Sequence, residues 1–113
     1  ARTYVDSLAA GRVVEAPATT RIADGMAVRR ADPQALAVLA AGLHHVVQVD
    51  DDEVEAAMRA LYADTHNLAE GAGAAALAAA LQERAQLRGQ QVGVALTGAN
   101  VDAGTLAEVL QKQ

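Results

Sequence analysis

The chain contains no cysteine, no phenylalanine and no tryptophan, and aromatic residues make up 2% of its 113 positions. Without cysteine there are no disulfides, no thiol nucleophiles and no thiolate metal sites, which fits the expected cytoplasmic location. Without large aromatics the core must be built from Leu, Val, Ile and Ala. That composition favours close approach of helices to neighbouring helices or sheet over bulky interlocking plugs. Positive charge is scarce as well. Nine Lys and Arg stand against fourteen Asp and Glu, the net charge is −5, and no basic stripe exists, so nucleic acid is not an expected partner. No apolar run approaches the roughly 18 residues of a membrane span. Leu68–Leu81 is apolar, but it is short and rich in Gly and Ala. No signal peptide is visible.

What is present is enough for one domain with a modest core. Hydrophobic residues are 52% of the chain. Thr3–Ala10 reads as a short helix closed by Gly11. Arg12–Arg30 is a long irregular stretch, and loops of that length are usually functional or disordered. Asp32-Pro33 starts a second helix, with Asp at the N-cap and Pro in the first turn. Leu36, Leu39, Ala40 and Leu43 give it an apolar face, and Gly42 closes it. His44–Val49 is a short β-branched run and reads as a buried strand.

The acidic run Asp50-Asp51-Asp52-Glu53 opens a third helix. Asp50 or Asp51 can cap it, and the acidic first turn suits the positive end of the helix dipole. Val54, Met58, Leu61 and Tyr62 form its apolar stripe. Leu68–Leu87 holds a fourth, alanine-rich helix that ends before Gly89. Gln91–Gly98 reads as another strand running into a glycine turn, and Asp102 caps a last helix, Ala103–Leu110. Two strands separated by two helices pair most naturally in parallel, through a right-handed crossover. The expected class is α/β, with an open, mostly parallel sheet flanked by helices.

Three stretches invite a functional reading. The first, "LAEGAGAAALAAAL", contains Gly71-x-Gly73-x-x-Ala76, the spacing of a dinucleotide loop. That loop requires a preceding strand, and here the preceding segment is helical in pattern, so the nucleotide reading fails on context. Packing accounts for the small residues, with Ala72, Ala76 and Ala79, or Ala75 and Ala79, forming a close-approach face. Glu70 is left over: it either caps the helix or points at a ligand. The second stretch is Leu96–Asp102. In open α/β sheets ligands gather at the carboxyl ends of strands, so Thr97 and Asn100 either meet a ligand or bond the backbone of a turn. The third is Ile22–Val28, where Gly25 permits an unusual backbone conformation or a close approach.

Taken together, "RIADGMAV", "HVVQVDDDEVEAAMRALYADTHNLAEGAGAAALAA" and "VGVALTGANVD" resemble the C-terminal part of the serine/threonine dehydratases. These are pyridoxal-phosphate enzymes of fold type II, a group that includes serine racemase. The resemblance runs from about Leu8 to the end, with order and spacing intact. It implies that Gly25 lies against the cofactor ring, that Glu70 sits near the ring and its hydroxyl, and that Thr97 offers its hydroxyl to the pyridine nitrogen. Gly98, Ala99 and Asn100 would shape the turn. The implied reaction is β-elimination from L-threonine or L-serine to a 2-oxo acid and ammonia, with an amino acid as the small-molecule partner. The parent is expected to be a homo-oligomer. A serine racemase activity of the parent and a non-catalytic binding domain on the same scaffold are the alternatives.

The chain departs from the family pattern in several places. Thr97 replaces a serine, Ala99 replaces a glycine, and Arg21 stands where threonine is usual. The family also needs a lysine that holds the cofactor covalently. The only lysine here is Lys112, in a polar tail, so no catalytic residue is assigned within residues 1–113. The segment is therefore expected to be a piece of a longer catalytic domain, without a regulatory domain, and inactive by itself. His44, His45 and His66 are the only imidazoles. Neighbours on a strand point to opposite faces, so His44 and His45 are not expected to share a metal, and no metal site is assigned. Ser7 has no His–Asp partner nearby in sequence, which gives triad chemistry no support.

Overall fold

Aspartate caps start three of the five α-helices in the computed structural model, which describes residues 1–112. The chain falls into two compact units. One comprises Ala1–Thr20 with Gly25–Gln48, the other Arg21–Asp24 with the chain from Val49 on.

In the first unit, helix α1 (Thr3–Ala10) ends as expected at Gly11. This residue adopts the left-handed conformation (φ 68°) and returns its N–H to the Ser7 carbonyl. Thr3 and Ser7 are the buried residues of α1, and both hydroxyls are satisfied. Thr3 donates to the Val28 carbonyl. Ser7 Oγ accepts the Val14 N–H at 3.1 Å, so Ser7 is a structural residue. Helix α2 (Pro33–Gly42) starts at Asp32, whose carboxylate accepts the Ala35 N–H at 2.9 Å, with Pro33 in the first turn. Of its expected apolar face, Leu36 is buried, Leu39 is half-buried, and Ala40 and Leu43 are exposed.

In the second unit, helix α3 (Asp51–Ala60) opens with a complete capping box. Asp50 accepts the Glu53 N–H at 2.8 Å and Glu53 accepts the Asp50 N–H at 2.9 Å. Of the two candidate caps, Asp50 is the one used. The helix then widens into a π turn, Leu61–Thr65, and stops at His66, a non-glycine residue with φ 58°. Helix α4 (Gly71–Gln82) is shorter than the expected 68–87, because residues 83–89 coil into turns that finish at Gly89 (φ 78°). Helix α5 (Ala103–Gln111) is capped by Asp102, which accepts the Thr105 N–H at 2.9 Å.

Helices α3, α4 and α5 enclose one core: Val54, Ala57 and Met58 against Ala69, Ala74, Ala75 and Ala78, closed by Val109. Small side chains let α3 and α4 approach closely, and dispersion over many such contacts replaces the missing aromatics. The buried face of α4 is Gly71, Gly73, Ala74, Ala75 and Ala78. The expected face through Ala72, Ala76 and Ala79 is corrected on this point, since Ala76 is exposed and the other two are half-buried.

The expected buried strands differ most. Among the described residues no β-ladder forms, and the one bridge joins Glu15 to Arg30. Neither 44–49 nor 91–98 is regular, and Val46, Val92, Val94 and Leu96 are all exposed. β-branched composition favours a pleated surface, but a strand exists only through hydrogen bonds to a neighbour, which composition does not supply. The same difference changes the histidines. Without strand alternation, His44 and His45 do not diverge, and their Nδ1 atoms lie 2.8 Å apart with the rings edge-to-face.

Candidate functional site

Glu70 stands at the N-cap position of α4 in an extended conformation (φ −77°, ψ 166°), yet its side chain makes no cap hydrogen bond. The capping explanation for this acid therefore does not hold. Its backbone N–H donates to the Gly98 carbonyl at 3.1 Å. Its carboxylate lies over Gly98, where a Cβ on residue 98 would collide with Oε1. Glycine at 98 is what makes room for the Glu70 carboxylate.

The two glycines of the opening motif have the same kind of purpose. A Cβ on Gly73 would strike the Gly98 carbonyl oxygen and sit 3.0 Å from its nitrogen. A Cβ on Gly71 would strike the Ile22 carbonyl oxygen and sit 3.0 Å from the Ala23 nitrogen. The Gly71-x-Gly73 spacing thus seats two pieces of backbone against the start of α4 and is not a phosphate cradle.

Downstream, Thr97 is exposed, Gly98 is half-buried, and Ala99 and Asn100 are exposed. The turn closes with the Val101 N–H on the Ala99 carbonyl at 3.0 Å. Ala99 fits here because the turn asks for no positive φ at that position. Neither the Thr97 nor the Asn100 side chain hydrogen-bonds a described residue, so the reading in which they only brace a turn finds no bond to rest on. Gly25 belongs to the first unit, exposed within the 3-10 turn Asp24–Met26. The structure brings Glu70, Gly71, Gly73 and Gly98 together, with Thr97 and Asn100 beside Gly98 along the chain.

Two further groups complete the local electrostatics. Asp102 is held below the usual carboxylate range by the Thr105 hydroxyl, which donates at 2.7 Å, and by the Thr105 N–H. Lys112 is half-exposed and paired with Glu55 on α3 at 2.6 Å. The sequence marks Asp51 only as a capping candidate. Asp51 accepts the backbone N–H of Arg21 at 2.8 Å. Its only trace in the sequence is an acidic run longer than one cap requires.

Residues 1–98 match the family model of the pyridoxal-phosphate dependent enzymes, and the chain belongs to that family. Its cofactor is pyridoxal phosphate. Within the family the chain is 37% identical over 107 residues to an L-threonine ammonia-lyase of Geobacter sulfurreducens, covering 94% of this chain and 26% of that protein. Its backbone resembles a T.th. threonine deaminase with a TM-score of 0.82 at 31% identity, over 90% of this chain and 36% of that one. It also resembles maize serine racemase with a TM-score of 0.81 at 33% identity, over 96% of this chain and 35% of that one. The chain spans about a quarter to a third of the length of these relatives.

The residues present fit the cofactor. A carboxylate and a hydroxyl, neither hydrogen-bonded to a described residue, border a backbone that lacks a Cβ at Gly98. That donor and acceptor set suits the edge of a flat heterocycle carrying a ring nitrogen and a hydroxyl.

Proposed function

We propose that this chain forms the ring-binding side of a pyridoxal-phosphate lyase that eliminates water from L-threonine or L-serine. The products are a 2-oxo acid and ammonia. The observation that carries the reading is the Glu70 carboxylate, left free of its helix and seated over Gly98 beside Thr97. When bound, the cofactor supplies the electron sink for breaking bonds at the substrate α-carbon. Glu70 would face the ring and its hydroxyl, Thr97 would give its hydroxyl to the ring nitrogen, and Gly98 and Asn100 would shape the turn beneath it. Gly25 would lie against the ring. Thr97 would offer the ring nitrogen a neutral hydroxyl, which does not hold a proton there as a carboxylate would. That partner would suit loss of a β-hydroxyl from the substrate.

In the whole enzyme, residues 44–49 and 91–98 would take ladder partners in an open, mostly parallel sheet, and the assembly would be a homo-oligomer. The lysine that holds the cofactor would come from outside these residues, because Lys112 is a paired surface ammonium. Residues 1–113 alone are therefore expected to form no 2-oxobutanoate from L-threonine. The similarity to maize serine racemase keeps racemisation as the second reading.

The test is the whole enzyme, purified, with its visible absorption recorded and 2-oxo acid and D-serine both assayed. A yellow protein that releases 2-oxo acid supports the lyase, and D-serine as the main product supports the racemase. A colourless protein that takes up no pyridoxal phosphate refutes both. Replacing the hydroxyl should be decisive: Thr97→Ala is expected to lower kcat about tenfold or more, the equivalent of one hydrogen bond, while Thr97→Ser stays near wild type.

A further inference from the structure

We infer that Asp51 is a positioning residue that holds the Arg21–Asp24 segment against the start of α4 and so keeps Glu70 in place for the cofactor, an inference that rests on the function proposed above. The run Asp50-Asp51-Asp52 carries more charge than capping requires. Asp50 is committed to the capping box and Asp52 is exposed. Asp51 is half-buried, and its Oδ2 accepts the Arg21 N–H, thirty residues away in sequence, at 2.8 Å.

The segment it holds is unusual. Arg21–Asp24 belongs to the second unit, although the chain on either side of it belongs to the first. Residues 21–23 have no helix or strand to satisfy their backbone, so its polar groups must find partners elsewhere. Two anchors are visible. At one end Asp51 takes the Arg21 N–H. At the other the Ile22 carbonyl lies against Gly71 of α4, and Ala23 is buried. Gly71 directly follows Glu70, so the segment braces the turn of α4 from which the Glu70 carboxylate leaves its helix. An anchor that fixes residue 21 limits where the neighbouring Ile22 carbonyl can go, since consecutive Cα atoms are only about 3.8 Å apart. Asp51 itself touches no cofactor in this scheme.

The experiment compares Asp51→Ala, Asp51→Asn and Asp52→Ala in the cofactor-loaded enzyme. Two quantities are read: the pyridoxal phosphate dissociation constant, by absorbance titration, and hydrogen exchange of the Arg21 and Ile22 amides. Asp52→Ala removes the same charge from the same helix turn without touching the segment. The expected result is that Asp51→Ala weakens cofactor binding at least tenfold and speeds exchange at Arg21. Asp51→Asn, which keeps an acceptor oxygen, should restore most of both, and Asp52→Ala should change neither. If Asp51→Ala does not fold, Asp51→Glu replaces it, keeping the charge but moving the acceptor by one methylene, and it too should bind cofactor more weakly. Faster exchange with unchanged cofactor affinity would overturn the inference, as would Asp51 variants that behave like Asp52→Ala. A wild-type protein that takes up no cofactor removes the proposed function itself and this inference with it, so the two failures are distinguishable.

Discussion

A methyl group added at Gly98 and one added at Gly73 meet different obstacles. At Gly98 the obstacle is the end of a flexible side chain, the Glu70 carboxylate. Gly98→Ala should therefore cost little stability but displace Glu70, and cofactor affinity should fall while the unfolding midpoint barely moves. At Gly73 the obstacle is the backbone of residue 98, and at Gly71 it is the backbone of residue 22. Backbone held by its own hydrogen bonds cannot step aside cheaply. Gly73→Ala and Gly71→Ala should each lose about 1–3 kcal/mol, as overpacked sites do. Alanine's better helix propensity, worth about 0.5–1 kcal/mol, does not offset this. Urea unfolding of the three variants separates the cases. If Gly73→Ala proves as stable as the parent, the close approach is not real. The glycines were legible in the sequence as a motif, but which backbone each one faces was not, because those contacts join residues far apart along the chain.

At the scale of elements, helix starts were the most legible feature. Asp32, Asp50 and Asp102 each accept a backbone N–H three residues on, at 2.8–2.9 Å. Removing the capping box with Asp50→Ala should cost about 1 kcal/mol and leave the denaturant dependence unchanged. Helix α5 carries a pH signature. The Asp102 pKa is lowered from 3.8, chiefly by the Thr105 hydroxyl. A carboxylate whose folded pKa is depressed stabilises the fold above its unfolded value and loses that contribution as pH falls through the folded one. Amide protection in the first turn of α5 should thus persist near neutrality and fade below pH 3.8, and Asp102→Asn should abolish that acid limb. An acid limb unchanged in Asp102→Asn would assign the effect to another carboxylate. Ends were less legible than starts. The π turn at Leu61–Thr65 stops at His66, a residue type that does not announce a left-handed end, and α4 gives way to turns well before Gly89.

For the molecule as a whole, the alternating run Val92, Val94, Leu96 is exposed at 48%, 42% and 40%, with no ladder partner among the described residues. Apolar side chains beside unpaired backbone are a template for association. The 113-residue chain on its own should self-associate with rising concentration, and Val92→Lys with Val94→Lys should suppress it. Light scattering decides this, and a wild-type chain that stays monomeric at high concentration would refute it. Among the described residues no helix is long and apolar enough to cross a membrane.

The sequence by itself determined the features that depend on neighbours within four residues. These are the caps at Asp32, Asp50 and Asp102 and the left-handed stop at Gly11. The order and spacing of its motifs also carried the family. The tertiary structure alone decided which acid of the run Asp50–Asp52 caps and which reaches Arg21. It also decided that the Glu70 carboxylate turns away from its helix toward Gly98, and that the two β-branched runs have no ladder. The first two are choices between partners that are equally good locally. Only the packing of α3 against α4, and of the Arg21–Asp24 backbone against Gly71, brings the distant partner within reach.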